Sequence, residues 1–459
     1  MVVRVRNWRL VVRRAPCVLT RLRQDSLLRN GAYNMGATIV TALLGYVYWV
    51  VAARAYQPRV VGSGAAIVSA MTLAALLANL GLGSALVVIL PGRSNGPAWS
   101  HTLNAALILS LLSGAIVGGV VTVILPVLSA PLDTGADPSY TLLFIAGVAL
   151  WTVSTTLDGA FVAERAAGHV LARGALFAVV KIPLLVTPLL QQGPSGKGIL
   201  MSWVLSTAIS CVVGFVQLSR LGRGYRCTAR GTAKEMRVLP RSLMGQHLIN
   251  LGGSAPMYLL PLLVTARLST TANAYFYTSW KVGSLFFMIS PAVAVSLFAE
   301  GAHRPGVLPG QARRAGLMIA ALLGPALLVF LPIAPMIMGL FGVEYARHGL
   351  TLLALLVLSA VPDALTNVYV SMLRVRGQVW RAAGLNVGMA VVALALAWVA
   401  LPLLGIAGAG LVWLIAQVCG GVFVAIHIGS AYRRSWGVYI KGWRAPSRMM
   451  VTKGRSVDA

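Results

Sequence analysis

Two lysines sit where a lysine is costly. Lys181 lies in ARGALFAVVKIPLLVTPLL, eight residues beyond Arg173, and a helical rise of 1.5 Å per residue puts it about 12 Å into an apolar run. Lys281 follows Trp280 in NAYFYTSWKV and lies about 10 Å from the turn that precedes its own run. A charge at such a depth costs roughly 2.5–3.5 kcal/mol on insertion scales. Lining a cavity, the two cations could draw in an anionic ligand. Each has a plainer reading: Lys181 could snorkel toward an interface, and Trp280 could belong to an interfacial aromatic belt. Pro183 and Pro188 would interrupt the helix just past Lys181.

Other polar residues could serve the same cavity. Arg54 and Arg267 stand at the ends of apolar runs, framing an outer mouth or simply anchoring an interface. Asp158 and Asp363 are carboxylates inside apolar runs, which suits coupling to a proton or sodium ion. Either could instead pair with an arginine such as Arg165 or Arg374. Asn34, Gln246 and Asn250 could hydrogen-bond a polar ligand near the inner mouth, or join helices through small polar contacts, as could Asn79.

The elements that must position these groups are membrane helices. The chain has 459 residues, 58% hydrophobic and 10% charged, with net charge +28 and mean hydropathy +0.81. Soluble domains carry about 25% charged residues, so most of this chain belongs in lipid. At about 20 apolar residues per crossing, twelve runs qualify: 31–53, 61–90, 101–127, 140–162, 171–190, 198–219, 242–265, 275–299, 315–340, 349–371, 383–402 and 405–430. The second is long enough to contain a kink. The expected fold class is an all-α membrane protein of about twelve transmembrane helices.

Lys and Arg placement sets the expected orientation. With the N-terminus inside, 31 of the 38 fall in cytoplasmic segments, five in outer loops and two within spans. Both termini are therefore expected in the cytoplasm, where the basic segments would attract anionic inner-leaflet lipids. This explains the net charge without nucleic acid.

The chain also repeats itself. VVAARAY and LLVTARL place Arg54 on Arg267 at an offset of 213; LDGAFVAERAAGHV and TNVYVSMLRVRGQV match at 209, SGKGILMSWV and GIAGAGLVWL at 210. YNMGAT and INLGGS set Asn34 against Asn250 at 216, and the 209 register sets Asp158 against Asn367. These matches predict two six-helix lobes in parallel repeat, related by a pseudo-twofold axis along the membrane normal. The expected organisation is a basic arm (1–30), a first lobe (31–220), a basic linker (221–241), a second lobe (242–430) and a basic tail (431–459).

Several function classes find no support. GPSGKG (193–198) lacks the spacing and the Ser/Thr of a phosphate loop, so no ATP-driven step is expected. The four cysteines and six histidines show no metal-ligand spacing, so neither a metal nor a cofactor is expected. The first thirty residues carry eight arginines and no signal-peptide core. Outer loops are too short for the catalytic segment of a membrane glycosyltransferase, and no enzyme activity is expected.

RNGAYNMGATIVTALLGYVYWVVAARAY, ANLGLGSALV, NAYFYTSWKVGSLFFMISPAVAVSLFAEG and PLLGIAGAGLVWLIAQ resemble polysaccharide-biosynthesis flippases of the multidrug/oligosaccharidyl-lipid/polysaccharide exporter superfamily, over about residues 25–430. The resemblance implies a bacterial plasma-membrane protein. It implies movement of a polyprenyl-pyrophosphate-linked saccharide to the outer leaflet, alongside a polysaccharide polymerase and glycosyltransferases. An ion-coupled multidrug exporter of the same superfamily is the alternative.

Overall fold

A computed structural model describes residues 26–128, 137–187, 196–228, 232, 235, 244–291, 293 and 308–443. Among them every long element is an α-helix. The first lobe holds α1 (Ser26–Ala55), α2 (Pro58–Ala78), α3 (Leu82–Ile89), α4 (Pro97–Leu128), α5 (Pro138–Ala163), α6 (Ala167–Val186) and α7 (Gly196–Ser219). The second holds α8 (Met244–Arg267), α9 (Thr270–Gly283), α10 (Leu308–Gly339), α11 (Val343–Val375) and α12 (Val379–Trp443). Nine helices among the described residues are long and apolar enough to cross a bilayer.

Eleven of the expected runs fall on these helices; the run 275–299 starts on α9, and most of its second half lies outside the described residues. The kink in the second run is real: Leu80 (φ 50°) and Gly81 (φ 78°) turn the chain left-handed between α2 and α3. The last two runs are the legs of α12, broken at Gly405 with φ 60° and ψ −151°, a conformation only glycine takes readily.

The helix ends correct the repeat register. Ala55 and Arg267, Pro58 and Thr270, Ala163 and Val375, and Ala167 and Val379 each lie 212 residues apart. The turns agree: Ala166 N–H donates to Phe161 O at 2.8 Å, and Gln378 N–H donates to Leu373 O at 2.8 Å. Arg165 (φ 54°) therefore matches Gly377 (φ 70°), not Arg374. The 209 register is one turn off because it aligned the basic residues; what repeats is the hydrogen-bonded turn.

The lobes meet closely toward the end that carries Arg54 and Arg267. Equivalent helices α2 and α9 cross at Gly62, where an added Cβ would fall 1.6 Å from Thr270 O. Asn273 Nδ2 donates to Gly62 O at 2.8 Å across this crossing. Only a residue without a side chain permits such an approach of backbones.

At the opposite end, the segment expected to start the linker is docked on the first lobe. Arg223 pairs with Glu164 at 2.6 Å, and Trp99 Nε1 donates to the same carboxylate at 2.8 Å. Tyr225 OH donates to Asn104 Oδ1 at 2.9 Å, and Asn104 Nδ2 donates to Arg226 O at 2.8 Å. Outside the spans, Asp137 caps α5 through Ser139 N–H and pairs with Lys197 at 2.6 Å. Lys197, then the Ser139 hydroxyl, hold its carboxyl below the usual carboxylate range. That pin is present above the ordinary carboxylate pKa and is lost as pH falls through the lowered one.

Candidate functional site

Lys181 does not snorkel. It is 3% exposed, and its ammonium lies over three rings: Tyr48 at 4.9 Å, Phe177 at 4.7 Å and Trp203 at 4.7 Å. Phe177 comes from the preceding turn of α6, Trp203 from α7 and Tyr48 from α1. The hydroxyls of Tyr48 and Ser202 are hydrogen-bonded at 2.8 Å, which fixes the first wall of the cage. Trp151 packs on Trp203 at 5.5 Å and supports another. Each ring face offers a cation about 0.5–2 kcal/mol, offsetting part of the cost of burial.

Lys281 belongs to the other lobe, on α9, and lies 5.0 Å over the ring of Tyr277, one turn earlier. An aromatic path joins the two cations across the lobe boundary. Tyr48 touches Trp49 at 5.3 Å, and Trp49 touches Tyr277 at 4.6 Å. The lysines are close enough to repel one another. Among the described residues neither forms an ion pair with a carboxylate. Both cations thus lie against aromatic rings and, among the described residues, lack a carboxylate counter-ion.

The remaining sequence candidates separate. Arg54 crosses to the other lobe: its Nε donates to Leu340 O at 2.8 Å and its Nη2 to Gly339 O at 2.9 Å, capping the end of α10. Arg267 stays in its own lobe, stacked 4.4 Å over Trp398 of α12. The two arginines end equivalent helices, one position out of the 212 register, and of the two Arg54 ties the lobes together. Tyr46 adds to that tie, donating to Ile337 O at 3.1 Å and meeting Phe341 edge-on at 5.1 Å. Arg54→Ala should loosen this end, raising the population with the lobes parted there by up to roughly fivefold. Distances between spin labels on the turns after α1 and α8 would register it.

Asp158 pairs with neither Arg165 nor Arg374 but with Arg173, at 2.5 Å. Arg173 is itself buried: it is 1% exposed inside α6, and also donates to Ser154 Oγ at 2.8 Å and Ser210 O at 3.2 Å. A carboxylate one helix away makes that burial tolerable. Among the described residues Asp363 pairs with no cation; its Oδ2 accepts from Ser290 Oγ and Asn367 Nδ2, both at 2.8 Å. Trp280 is not in an interfacial belt: it is 1% exposed in the second lobe, 5.2 Å from Trp413. Asn79 joins helices, donating to Thr155 and Thr156. Asn250 is exposed on α8. The side chains of Asn34 and Gln246 lie outside the described ones.

The cage was missed in the sequence, yet half of it was there to read. Phe177–Lys181 and Tyr277–Lys281 share one pattern, an aromatic residue four positions before the lysine, which stacks ring on cation along a helix. The other walls come from distant helices and leave no local signal.

The fold compares directly with solved structures. The inward-facing form of a multidrug resistance MATE family transporter of the MOP superfamily superposes with a TM-score of 0.65 at 15% identity, covering 87% of this chain and 99% of that one. The outward-facing form of a multidrug resistance MATE family transporter gives 0.62 at 16%, covering 89% and 96%. A MOP superfamily transporter from Pyrococcus furiosus, whose reversed binding-pocket polarity suggests a different function, gives 0.60 at 16%, covering 88% and 96%. The chain therefore has the two-lobed fold of the MOP-superfamily membrane transporters. Its sequence matches the family described as polysaccharide biosynthesis protein, over residues 27–229, the first lobe with the docked start of the linker. No curated protein matches the chain.

Proposed function

We propose that this chain is a flippase that carries a polyprenyl-pyrophosphate-linked saccharide from the cytoplasmic to the outer leaflet of a bacterial plasma membrane. The observation that carries the reading is the pair Lys181 and Lys281, one from each lobe, linked through the rings of Tyr48, Trp49 and Tyr277 and, among the described residues, without a carboxylate partner. An anion bound between them neutralises both and draws the lobes onto one ligand. A cationic drug would meet repulsion at the same place. In the Pyrococcus furiosus protein a reversed pocket polarity suggests a different function; we read the lysine pair here in the same sense.

The mechanism is alternating access. The diphosphate and sugar enter between the lobes from the cytoplasmic side, the prenyl tail stays in lipid, and the lobes then part at the Arg54 end. Both termini and the linker face the cytoplasm in this scheme, near anionic lipids and the glycosyltransferases and polymerase that supply and consume the cargo.

Asp363 is the better placed of the two carboxylates for ion coupling, because two neutral donors hold it while Asp158 is tied to a guanidinium. One charge moved through 100 mV supplies about 2.3 kcal/mol. Asp363→Asn should abolish any dependence of transport on a proton or sodium gradient, measured in vesicles with each gradient imposed separately.

Depletion in cells tests the function itself. A completed lipid-linked repeat unit should accumulate on the inner leaflet. Unchanged lipid-linked saccharides with increased sensitivity to toxic cations would replace the flippase by a drug exporter; a shorter, incomplete intermediate would point to a glycosyltransferase.

A further inference from the structure

The second lobe encloses a cavity of about 220 Å³ among α8, α9, α11 and α12, apart from the lysine pair. Its walls combine apolar rings with polar groups. Trp280, Phe287 and Trp413 form an aromatic corner, with Trp280 and Trp413 5.2 Å apart at 73° and Phe287 5.9 Å from Trp413. Asp363, Asn386 and Gln417 add a carboxylate and two amides.

Three of these side chains hold buried polar atoms that no group among the described residues satisfies: the indole N–H groups of Trp280 and Trp413 and the Oε1 of Gln417. All three residues are nine-tenths buried or more. A buried polar atom without a partner costs about 1–3 kcal/mol, so three around one small cavity call for an occupant. The missing partners are two acceptors and one donor. The Asp363 carboxylate, holding Ser290 and Asn367, keeps lone pairs for another donor. A simple cation could not satisfy indole N–H groups, and an apolar chain could satisfy none of the set. A ring bearing several hydroxyls, each both donor and acceptor, satisfies all of it and offers C–H faces to the indoles.

We propose that this cavity is the seat of one sugar residue of the cargo. The assignment rests on the flippase reading, and it divides the work between the lobes: the lysine pair holds the diphosphate, and the second lobe reads the sugar joined to it. Trp280 adjoins Lys281 in sequence, so one helix, α9, contributes to both subsites. The repeat explains the difference in kind. Trp203, the counterpart of Trp413 in the sequence repeat, walls the lysine cage, whereas Trp413 faces an indole and an amide.

The test uses the purified full chain and short water-soluble probes. Citronellyl diphosphate diesters capped with methyl, glucose, galactose or N-acetylglucosamine carry the same charge and differ only in the cap. At least one sugar cap should bind roughly tenfold more tightly than methyl. Trp413→Phe and Gln417→Leu should each remove most of that gain while leaving the methyl probe's affinity and the thermal midpoint unchanged. Two substitutions keep the test usable if one impairs folding. Lys181→Gln should weaken every probe alike. Sugar and methyl caps binding equally, or a gain that survives both substitutions, would overturn the sugar seat and leave the flippase reading standing. No binding of any diester would overturn both.

Discussion

Replacing both lysines, as Lys181→Met with Lys281→Met, should lower affinity for a diphosphate diester by about 100-fold or more. A hydrogen bond to a charged group contributes about 1.5–3 kcal/mol, or roughly 10–100-fold for each lysine. The same change should not lower stability. Lys181 is 3% exposed among three rings and, among the described residues, has no carboxylate to lose, so an apolar side chain of similar length relieves a buried charge. Titration with the methyl-capped diester and a thermal unfolding curve would measure the two effects. Lost binding with an equal or higher midpoint marks a ligand site. A fall in the midpoint would mark the lysines as structural and remove the ground for the flippase reading.

Asp158→Asn should behave in the opposite way. It leaves the Arg173 guanidinium, 2% exposed, without its carboxylate, and breaking a buried pair costs about 3–5 kcal/mol. Asp158 itself is 40% accessible on its side chain, which places the effect toward the lower end. Asp158→Asn combined with Arg173→Leu should recover part of the loss, because no uncompensated charge remains. Unfolding midpoints of the two single variants and the double variant form the cycle. Additive losses would contradict the pairing, and loss of gradient dependence at unchanged stability would return Asp158 to the coupling role.

The architecture was legible because lipid permits few solutions. Twelve apolar runs, a bias of basic residues and an offset near 212 gave the helices and the two lobes. Details that depend on distant partners were not. Arg54 and Arg267 read alike, yet one caps a helix of the other lobe and one stacks on Trp398. Arg173 gave no sign of its buried pairing because its partner Asp158 sits on another helix. Lys181 and Lys281 were legible as costly; their nearness across the lobe boundary, and the cage from α1, α6 and α7, were not.

The most direct measurement is leaflet exchange of a sugar-bearing polyprenyl diphosphate in proteoliposomes containing the full chain. Cargo in the inner leaflet is exposed to a membrane-impermeant modifying reagent only after crossing. The wild-type chain should expose it far faster than protein-free vesicles, and the double lysine variant should return exposure to the background rate. Exchange that is absent in the wild type, or unchanged without the lysines, would contradict the account.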